Sequence, residues 1–277
     1  MMNYNAIFSK MVEYTARYLK DNKLKCMVLG VSGGIDSTLT AAICYEVATL
    51  TDIPLIGVSL PCSSNTEDEN ISARMTMEAF CDEYWTENLQ KEYLLMKATC
   101  EQHVTSTPIS QGNIKARLRM TYLYNIASVK GGIVMDTDNL TENYLGFFTI
   151  NGDVFDLNPI GCLWKHEIFD MVKWLHEEKY PEGKKHAALM FVHGLVPTDG
   201  NGVMAGGDLA QIAPNSTFEE VDAILDEYVN NGSVTEGKYD ATTVDMVLSR
   251  HRSSAFKRFA HPIKILKRSD IQEFVSN

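Results

Sequence analysis

Several features that would narrow the class of this chain are missing from it. No stretch of about 18 apolar residues occurs in its 277 residues, so no transmembrane helix is expected. The opening MMNYNAIFSK has neither a basic n-region nor an apolar h-region, and no signal peptide is read there. The six cysteines (26, 44, 62, 81, 100 and 162) form no C-x-x-C pair or other metal spacing. Several stand in apolar runs, as reduced, buried thiols do. A cytoplasmic protein is the simplest expectation. Basic charge is also short: the net charge of −11 argues against general nucleic-acid binding. The length admits one large α/β domain or two small ones. With no repeat and no linker visible, a single domain over 1–277 is expected.

What is present begins with CMVLGVSGGIDSTLTAA, residues 26–42. Cys26 to Val31 is a short apolar run, the pattern of a buried strand. From Asp36 on, Leu39, Ala42, Ile43, Tyr45 and Val47 fit a helix, so Ser32 to Ser37 is a tight strand-to-helix turn. Glycines at such a turn expose backbone N–H groups at the positive end of the helix dipole, which attracts phosphate oxygens. The lysine of a G-x-x-x-x-G-K-[ST] loop is absent, and the spacing is not G-x-G-x-x-G. Serine hydroxyls and amides are left to hold phosphates, with Asp36 expected to bind magnesium and to pair with nothing basic. The plainer alternative is a glycine turn in which Asp36 caps the helix. Ser-Gly-Gly-x-Asp-Ser as a unit between strand and helix favours the phosphate site.

A polyanionic ligand needs local positive charge. Lys115, Arg117 and Arg119 lie together in GNIKARLRM, and residues 249–268 carry Lys and Arg with no acid; a solvated basic helix end is the alternative for the second group. Further strands are expected at 54–60 and 131–137. Helices are expected at the N-terminus, in EDENISARMTMEAFCDEY, over 88–106, in NIKARLRMTYLYNIAS, in KHEIFDMVKWLHEE, and near 217–229 and 241–252. This alternation predicts an α/β fold with a doubly wound, mostly parallel sheet and helices on both faces. Residues 181–216, rich in glycine and proline with little periodicity, read as a mobile lid or a floppy connector.

The ordered segments GVSGGIDS, GNIKARLRM, DTDNLTE, GFFTINGD, NPIG…K and the late Lys-Arg pair resemble ammonia-dependent NAD synthetases of the ATP-pyrophosphatase superfamily, from about residue 26 to 262. The resemblance implies a Rossmann-like fold and a two-step ligase. The nicotinate carboxylate of deamido-NAD attacks the α-phosphate of ATP, and ammonia then displaces AMP from the acyl-adenylate. It implies that Gly30, Ser32, Gly33, Gly34, Ser37, Thr137, Lys165 and Thr198 bind ATP, and that Asp36 and Glu142 hold magnesium. Asp36, Glu142 and Lys165 would carry the catalysis, and Arg117, Asp153, Asp156 and Lys257 would face deamido-NAD. A homodimer is implied as well. The synthetase motifs begin by residue 30, so no nitrilase-type glutaminase domain is expected, and ammonia arrives free or from another protein.

Bland alternatives remain for these residues: Glu142 as a helix-start acid, Lys165 as a solvated lysine, Arg117 as a surface base, and Asp153 as a turn residue. The chain also departs from the family pattern at Ser59, Cys62-Ser63, Asn65, Ile109, Ile150 and Phe256, at GDVFD, and at PTDGNGV. Ile150 stands where a lysine is usual, which removes a charge that could meet phosphate. Most departures fall on the acceptor side, so a rebuilt acceptor pocket is expected beside an intact adenylation half. Two competing readings are another pyrophosphatase-loop ligase (GMP synthetase-like or tRNA-modifying) and a nucleotide-binding homologue that no longer turns over.

Overall fold

The architecture follows from a two-residue periodicity in the strands. The computed structural model describes residues 2–198, 207–259, 263–264 and 269. Its strands are β1 (Met27–Gly30), β2 (Leu55–Ser59), β3 (Glu83–Thr86), β4 (Ile133–Met135), β5 (Leu157–Asn158) and β6 (Ile263–Lys264). All pair in parallel, in the order β3-β2-β1-β4-β5-β6. Val28 lies in register with Ile56 on one side and Val134 on the other. Side chains alternate between the two faces of a strand. Met27, Leu29, Leu55, Ile133 and Met135 therefore enter one core, and Val28, Ile56, Val58 and Val134 enter another.

Helices cover both faces, as a parallel sheet requires. In chain order they are α1 (Tyr4–Asp21), α2 (Ile35–Thr51), α3 (Glu67–Phe80), α4 (Gln90–Cys100), α5 (Pro108–Lys130), α6 (Leu140–Leu145), α7 (Lys165–Trp174), α8 (Gly183–His193), α9 (Gly207–Ile212), α10 (Phe218–Asn231) and α11 (Ala241–Ser253). The first core takes Ile7, Phe8 and Met11 of α1, Leu39 and Ile43 of α2, Met77 and Phe80 of α3, and apolar residues of α7 and α8. The second takes Tyr93 of α4 with Leu123 and Ala127 of α5. Fully burying each large apolar side chain stabilises the fold by roughly 1.5–3 kcal/mol. A third core, away from the sheet, joins Leu140 and Leu145 of α6 and Trp164 to Val221, Ile224 and Leu225 of α10 and Val247 and Leu248 of α11.

The doubly wound α/β expectation is met, with local differences. Strands β3, β5 and β6 are not legible as strands, being two to four residues long, and β3 is mostly exposed. The stretch 181–216 is not one loop. Ala188, Leu189 and Val192 are buried on α8, which packs into the first core, and α9 follows later. Residues 199–206 of the expected lid lie outside the described residues, as do 260–262 and 265–268 of the basic stretch. Helix α7 runs on into a π-helical turn, Leu175–Lys179. No helix among the described residues is long and apolar enough to cross a membrane. The strand order reverses between β1 and β4, and a crevice opens beyond the carboxyl ends of strands at such a point.

Candidate active site

A cleft of about 610 Å³ lies at this reversal. The loop after β1 forms its floor. Gly33 has φ +88°, and a Cβ there would stand 2.1 Å from the carbonyl oxygen of Glu69, so this position demands glycine twice over. The loop is wired to itself. Ser32 Oγ accepts from Gly34 N at 3.1 Å and lies 3.1 Å from Ser37 Oγ, which donates to Gly34 O at 3.0 Å. Gly30, Ser32, Gly33, Gly34 and Asp36 line the cleft. Ser37 does not; it is buried and serves the loop from behind.

The acid of the loop is not left without a cation, contrary to the sequence expectation. Lys165 Nζ donates to Asp36 Oδ2 at 2.5 Å and to Glu142 Oε1 at 3.3 Å. Lys165 is the first residue of α7 and is only 3% exposed, so burial beside two carboxylates dictates the pairing. Asn139 Nδ2 donates to Asp36 Oδ1 at 2.9 Å. Glu142 does two things at once: Oε2 accepts from Asn139 N at 3.1 Å in the capping box of α6, while Oε1 faces the lysine. The helix-start alternative is realised, and the same carboxylate also faces the cleft. Two converging, hard carboxylate oxygens suit magnesium shared with a polyphosphate.

The cleft also gathers carboxyl groups whose surroundings disfavour their charged form. Burial raises the Asp138 carboxyl well above the usual range, and Asp136, Asp153, Glu142 and Asp36 raise it further. Asp153 is pushed up to about 6 by burial, against the opposing hydrogen bonds of backbone amides and the charges of Lys257 and Arg119. Thr149 N donates to its Oδ1 at 2.5 Å. Lys257 also lines the cleft and is held by Gly146 O at 2.8 Å and Phe148 O at 2.5 Å. Burial lowers its pKa, and Arg250 adds to that.

Thr137 and Thr198 line the cleft, and the Thr198 hydroxyl donates to Glu69 Oε1. Besides Ser37, two expected residues do not line it. Arg117 is exposed and donates to Ile150 O at 3.2 Å, whereas Arg119, named in the sequence only as part of the basic group, faces in with Nε on Leu60 O at 3.0 Å. Asp156 is engaged by Tyr124 Oη at 2.7 Å and Val134 N at 3.3 Å, tying α5 to β4. Asp138 and Glu69, which also line the cleft, were not singled out; the burial of Asp138 and the approach of Glu69 to the loop depend on packing no local pattern reveals. Of the departures, Ser59, Asn65 and Ile109 line the cleft; Ile150 and Phe256 do not.

Comparison with known proteins agrees with this geometry. A family described as NAD synthase matches residues 7–261. The NH(3)-dependent NAD(+) synthetase of Finegoldia magna is 30% identical over 259 residues, covering 93% of this chain and 97% of that one. Among solved structures, the NMN synthetase from Francisella tularensis superposes with a TM-score of 0.76 at 26% identity, over 93% of this chain and 97% of that one. The NH3-dependent NAD synthetase from Campylobacter jejuni gives 0.71 at 26% identity, over 92% and 96%.

Proposed function

The chain belongs to the NAD synthase family of ligases, and from that premise we propose that it amidates deamido-NAD with ammonia at the expense of ATP, releasing AMP and pyrophosphate. One observation carries the reading: the Ser-Gly-Gly loop, Asp36, Glu142 and Lys165 meet in one cleft, with the ammonium shared between the carboxylates.

In this reading the amides of Gly33 and Gly34 and the Ser32 hydroxyl hold the leaving diphosphate at the start of α2. Thr137 and Thr198 contact ATP from the opposite walls. Lys165 turns from its carboxylate partners to the phosphates and neutralises charge as the α-phosphate is attacked. Asp36 and Glu142 would hold magnesium, which would supply charge neutralisation at the phosphates. Lys257, Asp153 and Arg119 line the wall that receives the acceptor. No side-chain nucleophile is needed, because positioning and charge stabilisation supply such a barrier reduction. A homodimer, a single catalytic domain over 1–277 and a cytoplasmic location belong to the same reading.

A second reading keeps the chemistry and shortens the acceptor to nicotinate mononucleotide. It is favoured by the likeness to an NMN synthetase and by the altered cleft residues Ser59, Asn65 and Ile109. A chromatographic end-point assay with ATP, magnesium and ammonium tests both, with each acceptor in parallel and Asp36→Ala beside the parent chain. NAD and AMP formed together, and lost in the variant, support the dinucleotide reading. Amidation of the mononucleotide alone supports the second, and absence of both products returns the chain to the non-catalytic binder.

A further inference from the structure

We propose that Asp222 of α10 is a positioning residue that sets Lys165 between Asp36 and Glu142; this rests on the ligase reading above. Asp222 is fully buried, and a buried carboxylate persists only where hydrogen bonds and charge compensate its lost hydration. Its partners all come from the two segments that build the site. The Thr141 hydroxyl donates to Oδ1 at 2.5 Å. His166 N donates to Oδ2 at 3.0 Å, and His166 Nδ1 lies 2.8 Å from the same oxygen.

These contacts fix directions as well as places. A hydroxyl has one proton to give; Thr141 gives it to Asp222 and so presents a lone pair to Lys165 N, 2.9 Å away. The first two amides of α7, those of Lys165 and His166, are therefore both held by the clamp, one through Thr141 and one directly. Thr141 also precedes Glu142 and follows Asn139 by two residues, and those two side chains engage Lys165 Nζ and Asp36. One carboxylate thus holds α6 and α7 in the relation that brings three site groups together. Burial opposes a charge on His166, but the hydrogen bond and charge of Asp222 outweigh it and raise its pKa.

The buried face of α10 around Asp222 docks through apolar side chains. Val221, Ile224 and Leu225 are fully buried in the third core. Docking by itself would be served as well by an apolar residue at 222, since a buried ionic cluster is no better for stability than a well-packed apolar one. What the carboxylate adds is orientation of the start of α7.

The test compares the parent chain with Asp222→Asn, Thr141→Val and Leu225→Ala, the last being a cavity on the same helix with no polar contact to the site. Asp222→Asn should lose roughly 100-fold in kcat, the cost of an ångström-scale misplacement, with little change in KM for ATP. Thr141→Val should fall in the same direction, and it carries the test if Asp222→Asn does not fold. Leu225→Ala should melt earlier yet keep its turnover. Acylation of Lys165, followed by peptide mapping against the exposed Lys20, reads the position of the ammonium without turnover. It should speed up several-fold in the two clamp variants and stay unchanged in Leu225→Ala. A parent chain that makes no product defeats the ligase reading while leaving this labelling result to decide the clamp. Parent-like labelling of Lys165 in Asp222→Asn, or an equal kcat loss in Leu225→Ala, would overturn the proposal.

Discussion

Replacing Gly33 by alanine should cost far more than an ordinary glycine-to-alanine change, and the structure says why in two parts. A residue with a Cβ at φ +88° sits in the left-handed region, at about 1–2 kcal/mol. The new methyl would also stand 2.1 Å from Glu69 O, so α3 must move. Glu69 closes the capping box of that helix, with Thr66 N on its Oε2 at 2.8 Å and its own N on Thr66 Oγ1 at 3.1 Å. Losing such a cap costs about 0.5–2 kcal/mol. The sum is roughly 2–4 kcal/mol, a fall in Tm on the order of 4–15 °C for a chain of this size. Gly232 is the control, with φ +76° and nothing within 4 Å of an added Cβ, so Gly232→Ala should show the backbone part alone. Gly34→Ala, whose Cβ would meet only Ser32 Oγ at 3.3 Å, should be milder still. Thermal melts of the three variants decide the matter. If Gly33→Ala and Gly232→Ala melt together, the approach of the loop to α3 imposes no constraint and the reasoning fails.

Other expectations follow from the same geometry. Lys165→Ala leaves Asp36 and Glu142 without the ammonium between them and should reduce AMP release by about 10²–10³-fold, the scale of losing one charge-stabilising group; near-parental release would remove the lysine from the chemistry. Chelation by EDTA should stop AMP formation and added magnesium should restore it, whereas turnover persisting in the chelator would defeat the roles given to Asp36 and Glu142. Two histidines should act on stability with opposite signs. The raised pKa of His166 contributes stability that is full below the ordinary value of about 6.5 and is lost as pH rises through the folded-state value. His176 is lowered by burial and by His193, so its contribution is complete above about 6.5 and lost as pH falls. Urea melts of His166→Gln and His176→Gln between about pH 5 and 8 should depart from the parent at opposite ends, and departures at the same end would contradict the assignment.

The parts of the site that could be read in the sequence are those whose signals are local. The loop from Ser32 to Ser37 shows itself because an apolar run, two glycines and a helical pattern are contiguous. Glu142 and Lys165 came from motif resemblance, and the cleft brings both to Asp36. The placement of Arg117 outside the cleft has a simple geometric source: residues two apart on an α-helix point about 200° apart, so Arg119 faces the cleft while Arg117 is exposed. Asp156 was given to the acceptor for lying in the right segment, but Tyr124 and Val134 occupy it. Asp222 and Asp138 had no local signal, because what marks them is burial among groups distant in sequence. The helix at Gly183–His193 was lost among glycines and prolines, its short apolar stripe gaining meaning only against α3 and α7.

The third core bears on how the protein wears out under heat. It is a separate cluster, built from α6, Trp164, α10 and α11, and proteins open in cooperative units of unequal stability. A unit of this kind that opens ahead of the sheet takes Thr141 and Glu142 with it, and releases the Asp222 contact that holds the first turn of α7. Catalytic capacity would then vanish while the parallel sheet is still intact. Amide hydrogen exchange should show α10 and α11 exchanging through a smaller opening than β1 and β4, and a bound nucleotide should slow exchange in α10 although nothing in that helix lines the cleft.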